Sequence, residues 1–192
     1  MAKKYEFQPD KPYSSWLNQL QLTKQQRKQW LKWSLYALLL IVMSVLQDVV
    51  LCRLRFFGGS TDLVPCTIFV ICILEGSQKG SVFALAAAFF YLLSGTSPGP
   101  HILVLITVLA VLASALRQAY LQPGLPATFL CAVLSMALYE LAVFAYCLLV
   151  GITTSAHLVS FMVPALLSMA VIPLIYPFAK AIGAIGGNLW NE

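Results

Sequence analysis

Almost every residue between positions 34 and 185 is apolar, and short turn-forming clusters interrupt this run at intervals of about one membrane span. The hydrocarbon core of a bilayer is about 30 Å thick and needs about 20 apolar residues per helix. Hydrophobic residues make up 60% of the 192 and charged residues only 10%, whereas soluble domains carry about 25% charge. The sequence therefore predicts an all-α, polytopic membrane protein.

Clusters of Gly, Pro, Ser and Thr divide the apolar run into six predicted transmembrane helices. The predicted helices cover residues 34–51, 63–74, 80–93, 102–116, 127–150 and 158–179. They form one transmembrane domain over residues 34–187, preceded by a polar, basic arm (1–33) and followed by a short tail (188–192). Tryptophan and leucine residues lie among basic residues at 14–33, which suits either an interfacial helix in the headgroup layer or a docking arm for a cytoplasmic partner.

Positive charge is concentrated before the first predicted span, where seven of the 12 Lys and Arg residues lie. Lys79, Arg117 and Lys180 would fall on the same side of the membrane as the arm, and only Arg53 and Arg55 on the other. Because cytoplasmic segments carry an excess of Lys and Arg, both termini are expected in the cytoplasm. The net charge of +5 is thus interpreted as a topology signal and not as a nucleic-acid-binding surface.

The residue types that carry catalysis or metal binding are scarce. The five cysteines have no C-x-x-C spacing and predict neither a disulfide framework nor a zinc site. His101 and His157 both lie in predicted turns, without a carboxylate or cysteine spaced to complete a metal site. We expect no enzymatic activity, no cofactor and no metal.

Four polar residues in or beside the predicted spans require an explanation, because inserting an ionisable side chain into a bilayer is unfavourable by about 2.5–3.5 kcal/mol. Glu140 lies in the middle of the fifth span, Gln47 and Asp48 near the outer end of the first, and Asp62 at the start of the second. The aspartates are either solvated at the interface or paired with the arginines of the first loop, or they take part in binding. Glu140 either bonds across helices or faces a cavity or partner helix.

Small residues recur every four positions along the third predicted helix, at Gly76, Gly80, Ala84 and Ala88. Such a face lets helix backbones approach closely. It is either an internal contact or a surface for a partner helix. The candidate partner-binding residues are Gln47, Asp48, Asp62, Gly80, Ala84, Ala88 and Glu140.

Short motifs stand in a characteristic order at the ends of the predicted spans. They are Leu46-Gln47, Asp62-Leu63-Val64, Glu75-Gly76 with Gly80, Leu92-Leu93-Ser94-Gly95 and Gly99-Pro100-His101. Their succession over roughly residues 35–180 resembles the bacterial rod shape-determining protein family MreD. The chain departs from that family in having Tyr91 where Asp is usual and Thr61 where Pro is common.

The resemblance implies a non-catalytic subunit of the elongasome, the assembly that directs lateral peptidoglycan synthesis in rod-shaped bacteria. It also implies a place in the cytoplasmic membrane and a single-span partner of the MreC type, linked to MreB, RodA and a penicillin-binding transpeptidase. MreD is similar in fold to the substrate-binding subunits of energy-coupling-factor vitamin transporters, which supply the alternative function. Those subunits typically carry an Ala-x-x-x-Ala patch on the first helix, where this chain has bulky residues.

Overall fold

The computed structural model describes residues 24–51, 62–95, 97, 99–120, 124–154 and 158–185, and within them it is entirely helical. The α-helices are α1 (Lys24–Leu46), α2 (Leu63–Glu75), α3 (Ser77–Leu93), α4 (His101–Tyr120), α5 (Leu125–Leu149) and α6 (Leu158–Ile185). A π-helical segment, Gln47–Leu51, continues α1. The arm up to residue 23, the arginines of the first loop, His157 and the tail lie outside the described residues.

Four stretches of these helices are long and apolar enough to cross a membrane: Gln26–Val49, His101–Tyr120, Leu125–Leu149 and Ala165–Ile185. The other two helices, α2 and α3, have 13 and 17 residues, which extend over about 20 and 26 Å. Both are shorter than the bilayer core of about 30 Å. The described residues form six α-helices, as predicted, but six transmembrane helices are not supported, because only four candidate spans lie within these residues. The protein is membrane-embedded.

Contacts between helix ends show that the first helices alternate in direction. The Nζ atom of Lys32 in α1 lies 2.6 Å from Oε2 of Glu75, the last residue of α2. At the opposite end of α1, the Gln47 side chain binds the backbone at the start of α2. The Ser77 hydroxyl, at the start of α3, donates to the side chain of Gln118 near the end of α4 at 3.1 Å.

We name the two ends of the bundle after these contacts. The basic end holds Lys32 and Glu75, and the far end holds Gln47. All Lys and Arg side chains whose surroundings the structure describes lie toward the basic end; they are Arg27, Lys28, Lys32, Lys79, Arg117 and Lys180. The charge asymmetry that the sequence predicts is therefore present in the described part of the chain.

Helix α2 is the centre of the bundle. Every residue of α2 from Leu63 to Ile73 is buried, and the helix packs against all five of the others. A helix that is apolar on all sides is typical of one enclosed by other helices. Because its neighbours cover α2 on every side, its sequence has no polar face.

The small-residue stripe of α3 packs inside the bundle. Gly80, Ala84 and Ala88 are buried, and a Cβ atom at Gly80 would lie 2.9 Å from the carbonyl oxygen of Cys72 in α2 and 3.0 Å from its Cα. The Cys72 thiol donates a hydrogen bond to the Gly80 carbonyl at 3.1 Å. The sequence left open whether this stripe forms an internal contact or a partner surface. In the structure it forms an internal contact.

A single residue, Gly76, separates α2 from α3. Its φ of 87° lies in the left-handed region that favours glycine. The sequence predicted a third helix that starts at residue 80, but α3 begins three residues earlier, at Ser77. Two helices joined by one residue are held in close antiparallel contact, which explains why the α2 backbone lies so near Gly80.

Gly80→Ala should destabilise the fold, because the added methyl group meets backbone atoms of Cys72 that cannot move away independently. Overpacking of this kind costs about 1–3 kcal/mol. The measurement is the thermal unfolding midpoint of the detergent-solubilised protein. Gly124→Ala is the matched control, since the nearest atom to its Cβ is 3.5 Å away. Equal midpoints for the two variants would contradict the close α2–α3 contact.

Candidate functional site

The side chain of Gln47 closes the N-terminus of α2. Its Oε1 atom accepts hydrogen bonds from the backbone N–H groups of Leu63 and Val64, at 2.8 and 3.0 Å. The first N–H groups of a helix have no partner within the helix, and Asp62, the residue before α2, makes no side-chain capping bond. The end of α1 therefore supplies the cap that α2 lacks in its own sequence.

Asp62 and Cys66 join the start of α2 to α6. The backbone N–H of Asp62 donates to the Ser168 hydroxyl at 3.0 Å, and the Cys66 thiol donates to the Ser168 carbonyl at 3.5 Å. Ser168 is fully buried. Three helices thus meet at the far end around the first turn of α2.

Two tyrosines and a glutamate extend this site into the bundle. Tyr91 from α3 and Tyr139 and Glu140 from α5 are 1%, 0% and 6% exposed. The Tyr91 hydroxyl lies beside the side chains of Gln47 and Tyr139, and the carboxylates of Asp62 and Glu140 are close enough to interact electrostatically. We call these five residues, Gln47, Asp62, Tyr91, Tyr139 and Glu140, the polar cluster.

The polar cluster contains buried atoms whose hydrogen-bonding capacity is unused within the described part of the chain. These atoms are the hydroxyls of Tyr91 and Tyr139 and Oε1 of Glu140. Buried polar groups are nearly always paired, and an ionisable residue at membrane depth marks a candidate functional site. Carboxylates, phenols and an amide together are suited to hold a polar or cationic group. Within the described residues, no group of three or more His, Cys, Asp and Glu could hold a metal ion.

Asp62 lies before α2 and outside the four candidate spans. Burial raises the pKa of its carboxyl group to about 6, because desolvation disfavours the charged form. The sequence-based alternative of pairing with the loop arginines falls outside the described residues. The described surroundings of Asp62 contain the second carboxylate, Glu140, and no basic side chain.

The seven residues predicted from the sequence fall into three groups. Gln47, Asp62 and Glu140 come together in the polar cluster. Asp48 is exposed beside it. The third group, Gly80, Ala84 and Ala88, is buried on α3, with Gly80 in contact with α2.

The sequence analysis missed a second polar group, at the basic end. Besides pairing with Lys32, Glu75 accepts a hydrogen bond from the Tyr36 hydroxyl at 2.7 Å, and the same hydroxyl lies 3.2 Å from the Ala179 carbonyl in α6. The Arg117 guanidinium of α4 donates to the carbonyl of Ile73 in α2. The available signal was the spacing of α1 and α2: in two antiparallel helices, Lys32, 15 residues before Gln47, and Glu75, 12 residues after Leu63, fall near the same end.

The chain matches no family model, no curated protein and no solved structure. The resemblance to MreD therefore rests on the order of short motifs alone. The structure locates one of the residues at which the chain departs from that family. Tyr91, which stands where the family usually has Asp, is a member of the polar cluster.

Gln47→Leu should lower the stability of the protein, because it leaves the N–H groups of Leu63 and Val64 buried without an acceptor. Each unpaired buried group costs about 1–3 kcal/mol. The unfolding midpoint in detergent measures the effect. Asp48→Leu makes the same kind of change at an exposed neighbour and should alter stability by no more than about 0.5 kcal/mol. A Gln47→Leu protein as stable as the wild type would refute the capping role.

Asp62→Asn should stabilise the protein at neutral pH and have less effect in acid. The folded-state pKa of about 6 exceeds the usual value of about 3.9, so the folded protein binds a proton more tightly than the unfolded chain. Stability therefore falls by about 2 kcal/mol as pH rises from about 4 to about 6, and the uncharged Asn variant does not show this loss. Unfolding midpoints of both proteins at about pH 4.5 and about pH 7.5 test the sign. A difference that does not change with pH would show that Asp62 is not the titrating group.

Proposed function

We propose that this protein is a non-catalytic membrane subunit of the bacterial cell-elongation machinery, similar to MreD, that works by binding the membrane helix of an MreC-like partner. Through that partner it would be linked to MreB, RodA and a penicillin-binding transpeptidase. The order of motifs in the sequence supports this assignment. The structural observation that carries it is an exposed apolar groove on α4.

The groove has a volume of about 550 Å³ and runs along the outward face of α4 from Thr107 to Tyr120. Val108 and Leu112 are about half exposed on it. Of the two hydroxyls on this face, that of Thr107 donates to the Leu103 carbonyl of its own helix at 2.7 Å, and that of Tyr120 belongs to the last residue of α4. Up to Tyr120, the face therefore offers packing contacts rather than hydrogen bonds to a partner.

Ala115 and Ala119 line the part of the groove near the C-terminus of α4 and are exposed. Small residues four positions apart let a second helix approach closely, as in other membrane helix pairs. The comparable stripe on α3 is already buried within the bundle. Since a hydrogen bond between membrane helices averages only about 0.6 kcal/mol, extended packing on α4 would supply most of the affinity for the partner helix.

The proposal includes the topology. We place the protein in the bacterial cytoplasmic membrane with the basic end toward the cytoplasm, because described Lys and Arg side chains lie toward that end. We also propose six crossings with both termini cytoplasmic. Although α2 and α3 are short, contacts at Gln47 and Glu75 connect α2 to opposite parts of α1, and neighbouring helices cover α2 from lipid.

Ala115→Leu should fill the groove and reduce co-purification of an MreC-like protein from native membranes by about fivefold or more, which corresponds to an overpacking cost of about 1–3 kcal/mol. Quantitative mass spectrometry of the affinity-purified protein gives the readout. Ala145→Leu makes the same change on the exposed face of α5 and should leave recovery unchanged. Equal recovery with both variants would exclude α4 as the partner surface.

The polar cluster favours a second candidate function, that of a substrate-binding subunit of an energy-coupling-factor vitamin transporter. Such a subunit needs buried polar groups near one membrane face, and the unpaired atoms of Tyr91, Tyr139 and Glu140 would supply them. The same purification separates the two functions. Recovery of an MreC-like protein with cell-wall synthases supports the first, whereas recovery of paired ATPases with a coupling subunit supports the second and overturns the first.

A further inference from the structure

We propose that a groove between α1 and α3 at the basic end binds a phospholipid with an anionic headgroup. The groove has a volume of about 600 Å³ and lies apart from both the α4 groove and the polar cluster. Its lining changes from polar to apolar along the two helices. This inference does not depend on the proposed function.

The polar part of the groove is formed by Gln26, Gln29, Gln78 and Lys79. All four residues are exposed, and no carboxylate lines the groove. Amide N–H groups and an ammonium group are donors that suit phosphate oxygens. This part of the groove can therefore contact a phosphate-containing headgroup.

Positive charge near the groove is not neutralised by the nearest acid. Glu75 is the only described acidic residue at the basic end, and its carboxylate is bound to Lys32 at 2.6 Å and to Tyr36 at 2.7 Å. Arg27 and Lys28 do not line the groove, but both are exposed on the first turns of α1 at the same end of the bundle. With Lys79 they favour a negatively charged headgroup over a zwitterionic one, because basic residues at a membrane surface attract anionic lipids.

The apolar part of the groove follows the same two helices away from the basic end. Trp30 and Val82 form its exposed rims, with 68% and 71% of their surfaces exposed. The rings of Trp33 and Phe83 form an inner wall, with centroids 5.8 Å apart. Tryptophan is enriched where headgroups meet acyl chains, and Ala86 leaves space beyond it for a chain to continue along α3.

This change from polar to apolar fits a phospholipid better than it fits a protein helix. An apolar helix laid along the groove would cover the Lys79 ammonium group without offering it a partner, and unpaired polar groups oppose binding. A phospholipid brings a charged headgroup and an acyl chain in the same order as the two parts of the groove. We therefore assign the groove to an anionic phospholipid.

Native mass spectrometry of the full-length protein tests this assignment. The protein is first exchanged into nanodiscs that contain phosphatidylcholine and phosphatidylglycerol, and the lipids retained after transfer to detergent are counted. The wild type should retain phosphatidylglycerol in preference to phosphatidylcholine. Lys79→Glu should reduce that retention about tenfold, because it reverses one charge at the headgroup. Lys180→Glu is the matched control, since Lys180 is exposed at the same end on α6 but does not line the groove.

A second variant tests the acyl part of the groove. Ala86 is exposed, so Ala86→Trp should fill the apolar part without disturbing the bundle, and it should reduce the retention of both lipids. The assignment is overturned by any of three results. These are equal retention of the two lipids by the wild type, equal losses in Lys79→Glu and Lys180→Glu, or wild-type retention by Ala86→Trp.

Discussion

Burial of α2 on all sides is the constraint on which the rest of the structure depends. A buried helix cannot leave its terminal N–H and carbonyl groups to water, so other helices must supply the partners. Gln47 of α1 binds the first N–H groups of α2, and Arg117 of α4 binds a carbonyl near its end. These bonds fix α1 and α4 relative to α2 along the direction of its axis, whereas apolar packing alone is non-directional.

The two polar groups of the bundle differ in how many of their buried polar atoms make hydrogen bonds. At the basic end, Glu75 is bound by Lys32 and Tyr36, and the charges of the ion pair cancel. At the far end, Tyr91 and Glu140 keep buried atoms that no described residue binds. A completed group holds helices together, while an incomplete one has capacity left for another molecule. This difference is the physical reason for treating the far end as the candidate site.

Much of the fold could be predicted from the sequence, because Gly, Pro and Ser clusters mark where the apolar helices end. The start of the first span does not coincide with the start of its helix. The predicted span starts at residue 34, where the sequence becomes apolar, but the described helix already includes residues 24–33, because this stretch contains no Gly or Pro to stop a helix. Gln47, Asp62 and Glu140 could each be selected as costly polar residues. Their meeting with Tyr91 could not, because it depends on how the helices are rotated about their axes.

The single-residue connection at Gly76 has a consequence for how the chain enters the bilayer. Because α2 is only 13 residues long and one residue from α3, neither helix can turn independently of the other during synthesis. The two are expected to insert together as a helical hairpin whose close contact at Gly80 forms early. In that order of events, α1 is already in the membrane when the hairpin inserts. The Gln47 side chain can bind the backbone N–H groups of α2 only after that insertion.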